Sequence, residues 1–229
     1  SGATAVDYTT ATLVIGDNAK QYRMGATNSK NGTTTTAYSS AATLTVTRTT
    51  LGTPVAPTGS ATSGSATSIN VSLTGVANAS SYTARIYLAS DTSTALQTIT
   101  SFTSGSAITA LTAGTAYVVS ITAIGDGISY ADSSASVLSS SITTNAAAAT
   151  PTLSAPTSAS KNVGQTHRFS SSATVGDAGA LSYQWQVSTN GTDWSNISGA
   201  TAVDYTTATL VIGDSAKQYR MGATNSKNG

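Results

Sequence analysis

One repetition limits what this chain can fold into more than any other feature. Residues 1–32 and 198–229 are the same sequence except at one position, Asn18 in the first copy and Ser215 in the second. The offset is 197 residues. Self-similarity at a fixed distance signals a repeat architecture, so it is read before any local pattern. Both copies end on "QYRMGATNSKNG", a strand–turn pattern, and only the first continues, into "TTTTAYSSAATLTVTR". The simplest reading is a window cut from a long tandem array. The sequence after Gly229 is then expected to repeat residues 33–48.

Helix signals are nearly missing, and short runs rich in Val, Ile, Thr and Tyr alternate in polarity between turn residues. That pattern predicts an all-β chain of antiparallel sandwiches. A period of 197 is about twice the ~100 residues of one such sandwich, so two are expected per period. Two Pro-bearing stretches, "LGTPVAPTGSA" and "ATPTLSAP", divide them. Residues 51–147 form one domain, 148–229 a second lacking its last strand, and 1–50 the C-terminal half of a copy of the second.

Within the first domain, "SINVSL" points Ile69, Val71 and Leu73 to one face, and "SYTARIYL" does the same with Tyr82, Ala84, Ile86 and Leu88. In "LTAGTAYVVSITAI", Tyr117, Val119, Ile121 and Ala123 are in step. The pattern Leu111-x-x-Gly114-x-x-Tyr117 resembles the tyrosine corner of fibronectin type III domains, and the spacing of Val76, Ala79 and Tyr82 is similar to theirs. Leu73 stands where that family has a Trp.

In the second domain, "THRFSSSATV" reads as a strand and "LSYQWQVS" points Tyr183, Trp185 and Val187 inward. Asn190-Gly191 signals a hairpin with positive φ at both residues. "TLVI" (209–212) reads as a further strand, "QYRMGATNS" as the next, and "TAYSSAATLTVTR" (36–48) as the last. The run is similar to bacterial immunoglobulin-like domains, with Trp185 as the core tryptophan of strand C and Tyr219, like Tyr22, as the corner tyrosine of strand F. By that resemblance Met221 stands at a half-cystine position whose partner falls near Ser171.

The chemistry-bearing residues are few. Charged residues are 8%, against ~25% in ordinary soluble domains, and the net charge is +1. No basic cluster suits a nucleic acid, and no apolar run approaches the ~18 residues of a membrane span. There is one His, no Cys and no Glu. No nucleophile, base and orienting acid assemble, so no enzyme is expected. His167 reads as a structural strand histidine, because a second His to share a metal is missing. No cofactor is expected; calcium is the ion to test, at Asp126 with Asp132 and Asp204 with Asp214, although no Asp-x-Asp-x-Asp string occurs. Surface domains resembling the second one form Lys–Asn isopeptide bonds, but Lys20, Lys161 and Lys217 have no Glu to assist them. Trp194 is the weak ligand candidate: exposed, it would stack on a sugar; otherwise it packs on Ile197. Asn31, Asn70, Asn78, Asn190 and Asn196 head Asn-x-Ser/Thr sites.

The whole resembles bacterial tandem-repeat surface proteins, the stalks of adhesins and fibres in which immunoglobulin-like and fibronectin type III domains alternate. That resemblance implies an extracellular, cell-surface location. It implies as partners neighbouring repeats of the same polypeptide, other copies of the fibre, or surface glycans. The alternative is a carbohydrate-binding accessory module of a secreted polysaccharide-degrading enzyme.

Overall fold

Frequent β-branched residues give short strands along the whole chain, with glycines and small polar residues in many of the turns between them. The computed structural model describes residues 3–227. It is all-β with antiparallel sheets, the fold class the pattern calls for. The described residues contain no α-helix, only two 3-10 turns, Ile15–Asp17 and Ile212–Asp214. The chain forms two compact units, one drawn from Ser1–Ser60, Asn70–Ala107 and Ala116–Ile142, the other from Ala61–Ile69, Ile108–Thr115 and Thr143–Gly229.

The first unit is built on Ser81–Leu88, paired antiparallel with Ala116–Ile124 from Tyr117↔Leu88 to Ile124↔Ser81. Ala84, Ile86, Val119, Ile121 and Ala123 are fully buried, as alternation requires when one face meets the core. Burying them removes apolar surface at ~25 cal/mol per Å². Tyr117 is 2% exposed. Tyr82 forms a corner of its own: Val76 N–H donates to its hydroxyl at 2.6 Å.

Val118 and Ser120, on the opposite face of Ala116–Ile124, are buried too, which alternation did not announce. Three serines spaced by three residues run along that strand's edge. Ser133, Ser136 and Ser139 each donate their N–H to a carbonyl, of Ala123, Ile121 and Val119 respectively, at 2.8–2.9 Å. Their hydroxyls accept the N–H of the same three residues at 2.9–3.0 Å. Each serine thus closes both backbone groups of one strand residue, supplying one acceptor from its side chain. The hydroxyls of Ser133 and Ser136 also donate onward to the next carbonyl.

The same clamp recurs. Ser39 closes Met24, Thr144 closes Thr115, Ser154 closes Ser172 and Thr207 closes His167.

At the start of the first unit, Gln21–Tyr22 pairs with Ala42–Thr43. Gly25–Lys30 pairs with Thr33–Tyr38. The turn between them has Asn31 at φ 50° and Gly32 at φ 83°, the positive pair that a two-residue hairpin demands. Every residue of this hairpin's strands is exposed. Thr49–Thr50 then runs parallel to Tyr130–Ala131.

In the second unit Ala180–Ser188 is the central strand, flanked by Ser195–Asn196 and by Gln218–Ser226. Arg168–Ser170 pairs with Asp204–Thr206, and Thr152–Leu153 with Ala173–Thr174. Trp185 is fully buried and donates its indole N–H to Ala202 O at 2.9 Å.

Four strand expectations need correction. Thr209–Ile212 is not a strand: Asp214 accepts the Val211 N–H at 2.8 Å and pulls the chain into a 3-10 turn. At Asn190-Gly191 only the glycine has positive φ; the Asn190 side chain instead caps the Thr192 and Asp193 amides. The strand read into residues 166–175 breaks at Ser171 and Ser172. That read into 36–48 breaks at Ser39–Ala41, where the Ser39 clamp replaces the ladder.

Serine 136 offers the direct test of the clamp. Ser136→Ala leaves the buried Ile121 N–H without its acceptor and should cost about 1–3 kcal/mol of unfolding free energy in urea. A loss under about 0.5 kcal/mol would show that the hydroxyl is dispensable.

Candidate functional site

Identical residues settle differently in the two copies. The local turn is shared: Asp17 accepts the Val14 N–H and pairs with Lys20, and Asp214 does the same with Val211 and Lys217. Those hydrogen bonds hold both carboxyls below the usual range, the lysine bond being the larger cause in each. Lys20 and Lys217 are accordingly raised. The strand that follows is not shared. In the second copy Gln218–Ser226 is continuous and pairs along its length with Ala180–Ser188. In the first copy the strand breaks at Arg23 and Met24. Met24 is 52% exposed, whereas Met221 is 6% exposed and lies opposite Trp185.

Each copy therefore displays one side of the strand. In the first, Ala19 N–H donates to Leu44 O at 2.9 Å, Leu44 N–H to Lys20 O at 2.8 Å, and Val46 N–H to Asn18 Oδ1 at 3.0 Å. Ser39 closes Met24, and the Tyr38 ring lies across Gly25, where a Cβ would meet it at 2.8 Å. In the second copy Gln218–Ser226 is the end strand of its sheet among the described residues, with no further strand hydrogen-bonded to it. Trp185 gives its N–H to Ala200 and its carbonyl to Ile197, away from Gln218–Ser226. In an antiparallel ladder directly opposed residues both turn inward or both outward. The backbone groups of Met221, and of Tyr219 and Ala223 in step with it, therefore point away from Ala180–Ser188.

Beside that strand lies a groove of about 720 Å³, its wall including His167, Phe169, Trp194, Leu210, Ala216 and Tyr219. Phe169 stacks on Tyr219 at 4.7 Å, and the His167 ring meets Phe169 edge-on at 4.5 Å. Burial raises the Tyr219 phenol above its ordinary value. His167 therefore sits in an aromatic cluster.

Trp185, Phe169, Tyr205 and Tyr219 form one aromatic group, their ring centres 4.7–6.1 Å apart where they meet. Tyr22, the first copy's counterpart of Tyr219, meets only Tyr8 among the described rings, at 5.8 Å. Trp194 is half-buried and carries the Arg220 guanidinium over its ring at 4.2 Å. Arg23, the counterpart of Arg220, sits over Tyr38 instead, at 4.0 Å.

The acidic residues named for calcium serve the backbone or a cation. Asp126 Oδ1 accepts the amides of Ile128, Ser129 and Tyr130, which lower its pKa, Tyr130 contributing most. Asp132 takes the Gly125 amide. Asp204 is lowered by the Ser170 side chain and then by Arg168, with which it pairs. No group of three His or Asp able to hold a metal occurs among the described residues.

A cluster that the sequence did not signal ties Asp177 to Ala149 N–H at 2.8 Å, to Asn225 Nδ2 at 3.0 Å and to Lys227 at 3.7 Å. The Ala149 amide is the main cause of its lowered pKa. Gly179 makes room for it, since a Cβ there would overlap Asn225 Oδ1.

Residues 138–228 match a family model described as "Domain of unknown function (DUF8696)". No curated protein matches the chain. Among solved structures, the FN1–FN3 domains of chicken CNTN1 superpose with a TM-score of 0.39 at 13% identity, over 92% of this chain and 73% of that one.

The lowered carboxyls fix the sign of the acid response. Asp17, Asp126, Asp177, Asp204 and Asp214 titrate below the ordinary ~3.9 when folded, so their contribution is complete above that value. It is lost as pH falls through the lowered folded values. The thermal midpoint should hold between about pH 8 and 5 and drop below about pH 4. Asp177→Asn should make the drop shallower; an unchanged acid profile would remove Asp177 from the account.

Proposed function

We propose that this chain is a structural repeat unit of a long exported stalk, adhesin or extracellular filament at the cell surface, its domains acting as spacers. The observation that carries the proposal is the duplication of residues 1–32 at 198–229, with a second, unlike domain between the copies. On this reading 51–147 is a fibronectin type III-like domain, 148–229 an immunoglobulin-like domain and 1–50 the end of the preceding immunoglobulin-like domain. Neighbouring repeats of one polypeptide are then the first partners, because stacked repeats contact mainly each other. Near-identical neighbours exchange strands and misassemble, and alternating two unlike domains keeps identical copies apart. Low charge and abundant Ser and Thr accord with this use, as do strand edges closed by hydroxyls. No helix of the described residues is long and apolar enough to cross a membrane.

The carbohydrate-module reading draws on Trp194 or on loop residues, and Arg220 lies over the Trp194 ring. Two measurements separate the readings. Immunogold labelling of intact, unpermeabilised cells with antibody to residues 148–227 should mark the cell exterior at regular intervals along one molecule. Label confined to the cytoplasm, or one epitope per molecule beside a catalytic domain, would overturn the stalk. Retention on insoluble polysaccharide that Trp194→Ala abolishes would favour the accessory module.

A further inference from the structure

We infer that Asn31 is a site of self-modification, at which the hairpin tip loses ammonia and gains a carboxylate as the molecule ages. The same dipeptide at Asn190-Gly191 is locked against that reaction. The inference rests on the two turns and not on the spacer reading.

The step needs water and nothing else. The Gly32 nitrogen gives up its proton to solvent and bonds to Asn31 Cγ. The bond from Cγ to Nδ2 breaks, ammonia leaves, and a five-membered succinimide ring closes. Water then opens the ring at one carbonyl or the other. One opening leaves an aspartate; the other leaves an isoaspartate, whose main chain runs through the side-chain carbon. One water is taken up and one ammonia is released. A following glycine favours the attack, because its backbone turns freely and no Cβ crowds the ring.

Asn31 and Gly32 are the central residues of the turn closed by Lys30 opposite Thr33, with φ 50° and 83°. Among the described residues neither the Asn31 side chain nor the Gly32 N–H has a hydrogen-bond partner. Nothing stands within 4 Å of the place a Gly32 Cβ would take, so the ring has room. Every group the reaction uses lies between Lys30 and Thr33, and no residue before or after the hairpin is needed.

Asn190-Gly191 has the opposite setting. Ser188 Oγ accepts the Gly191 N–H at 2.9 Å and so holds the attacking nitrogen. Asn190 Oδ1 accepts the Thr192 amide at 2.9 Å, the Asp193 amide at 2.8 Å and the Ser188 hydroxyl at 3.0 Å. The leaving nitrogen, Nδ2, donates to Asp193 Oδ2 at 2.6 Å. Turning this amide toward Gly191 would break all of them. Ser188 is 3% exposed, so water does not readily take its place. The Gln218 side chain also walls this turn, 3.2 Å from the place of a Gly191 Cβ.

Two properties change at the modified tip. The new carboxylate cancels the chain's formal net charge of +1, and chains near zero charge associate more readily. The isoaspartate adds a backbone carbon to a turn whose two residues must both hold positive φ, so Lys30 and Thr33 no longer close in register.

The test ages the full chain in mild alkali, digests it with pepsin in acid, where the reaction stops, and maps the peptides by mass spectrometry and isoaspartate methylation. Peptides covering Asn228, which lies outside the described residues, are read separately. In the folded chain Asn31 should gain about 1 Da at least about tenfold faster than Asn190. In urea the two sites should react within about twofold of each other, because only the fold separates them. Ser188→Ala, shown by circular dichroism to be folded, should speed Asn190 about fivefold by freeing the Gly191 nitrogen and leave Asn31 unchanged. Asn31 as slow as Asn190 in the folded chain, or a gap between them that survives urea, would overturn the site. Aspartate without isoaspartate would overturn the succinimide route. An Asn190 rate unmoved in the folded Ser188→Ala chain would overturn the lock.

Discussion

A hydroxyl standing in for a carbonyl is the interaction on which this structure depends. A strand edge leaves an N–H and a C=O on alternate residues, and each must be paired where it is buried. A neighbouring strand normally supplies both partners from its backbone. Here one serine or threonine supplies both, giving its own N–H to the carbonyl and accepting the N–H with its side chain. Ser133, Ser136 and Ser139 close Ala116–Ile124 in this way without being a strand themselves. Thr144 and Thr207 do the same at Thr115 and His167. The Ser- and Thr-rich composition is thus tied to how edges are finished.

The duplicated segment separates local from distant causes. The Asp–Lys turn forms identically in both copies because every group it needs lies within seven residues. Strand continuity does not follow from those residues. With Ala180–Ser188 alongside, Gln218–Ser226 runs unbroken and Met221 is buried; with Thr33–Tyr38 alongside, the same sequence breaks and Met24 faces water. What differs is the neighbour, and β propensity measures fit to a neighbour more than backbone preference.

The same distinction marks what could be read from the sequence. Ser81–Leu88 and Ala180–Ser188 carry an alternating apolar face, Ala116–Ile124 keeps Tyr117, Val119, Ile121 and Ala123 in step although its other face is buried too, and each is a strand of at least eight residues. Trp185 sits at the buried centre, and Tyr219 in the aromatic group around it. Thr209–Ile212 was misread because its apolar alternation is real, but Asp214 binds the Val211 amide and turns the chain first. The serine triplet was missed because no hydrophobic periodicity describes hydroxyls three residues apart. Asp177 carried no signal, since its partners Ala149 and Asn225 lie 28 and 48 residues away. The groove was legible only in part. The repeat marked the copied strand, but the direction of Met221's backbone required coordinates.

Many proteins protect sheet edges with lysine, and that protection works by charge. Charge repulsion fades within about 10 Å at 0.1 M salt and shrinks further as salt rises. The clamps at Val119, Ile121 and Ala123 involve no ionised group. Dissolved ions have nothing there to screen, and neither acid nor base can switch a serine hydroxyl off in the ordinary range. These edges stay closed by the same bonds in fresh water and in brine.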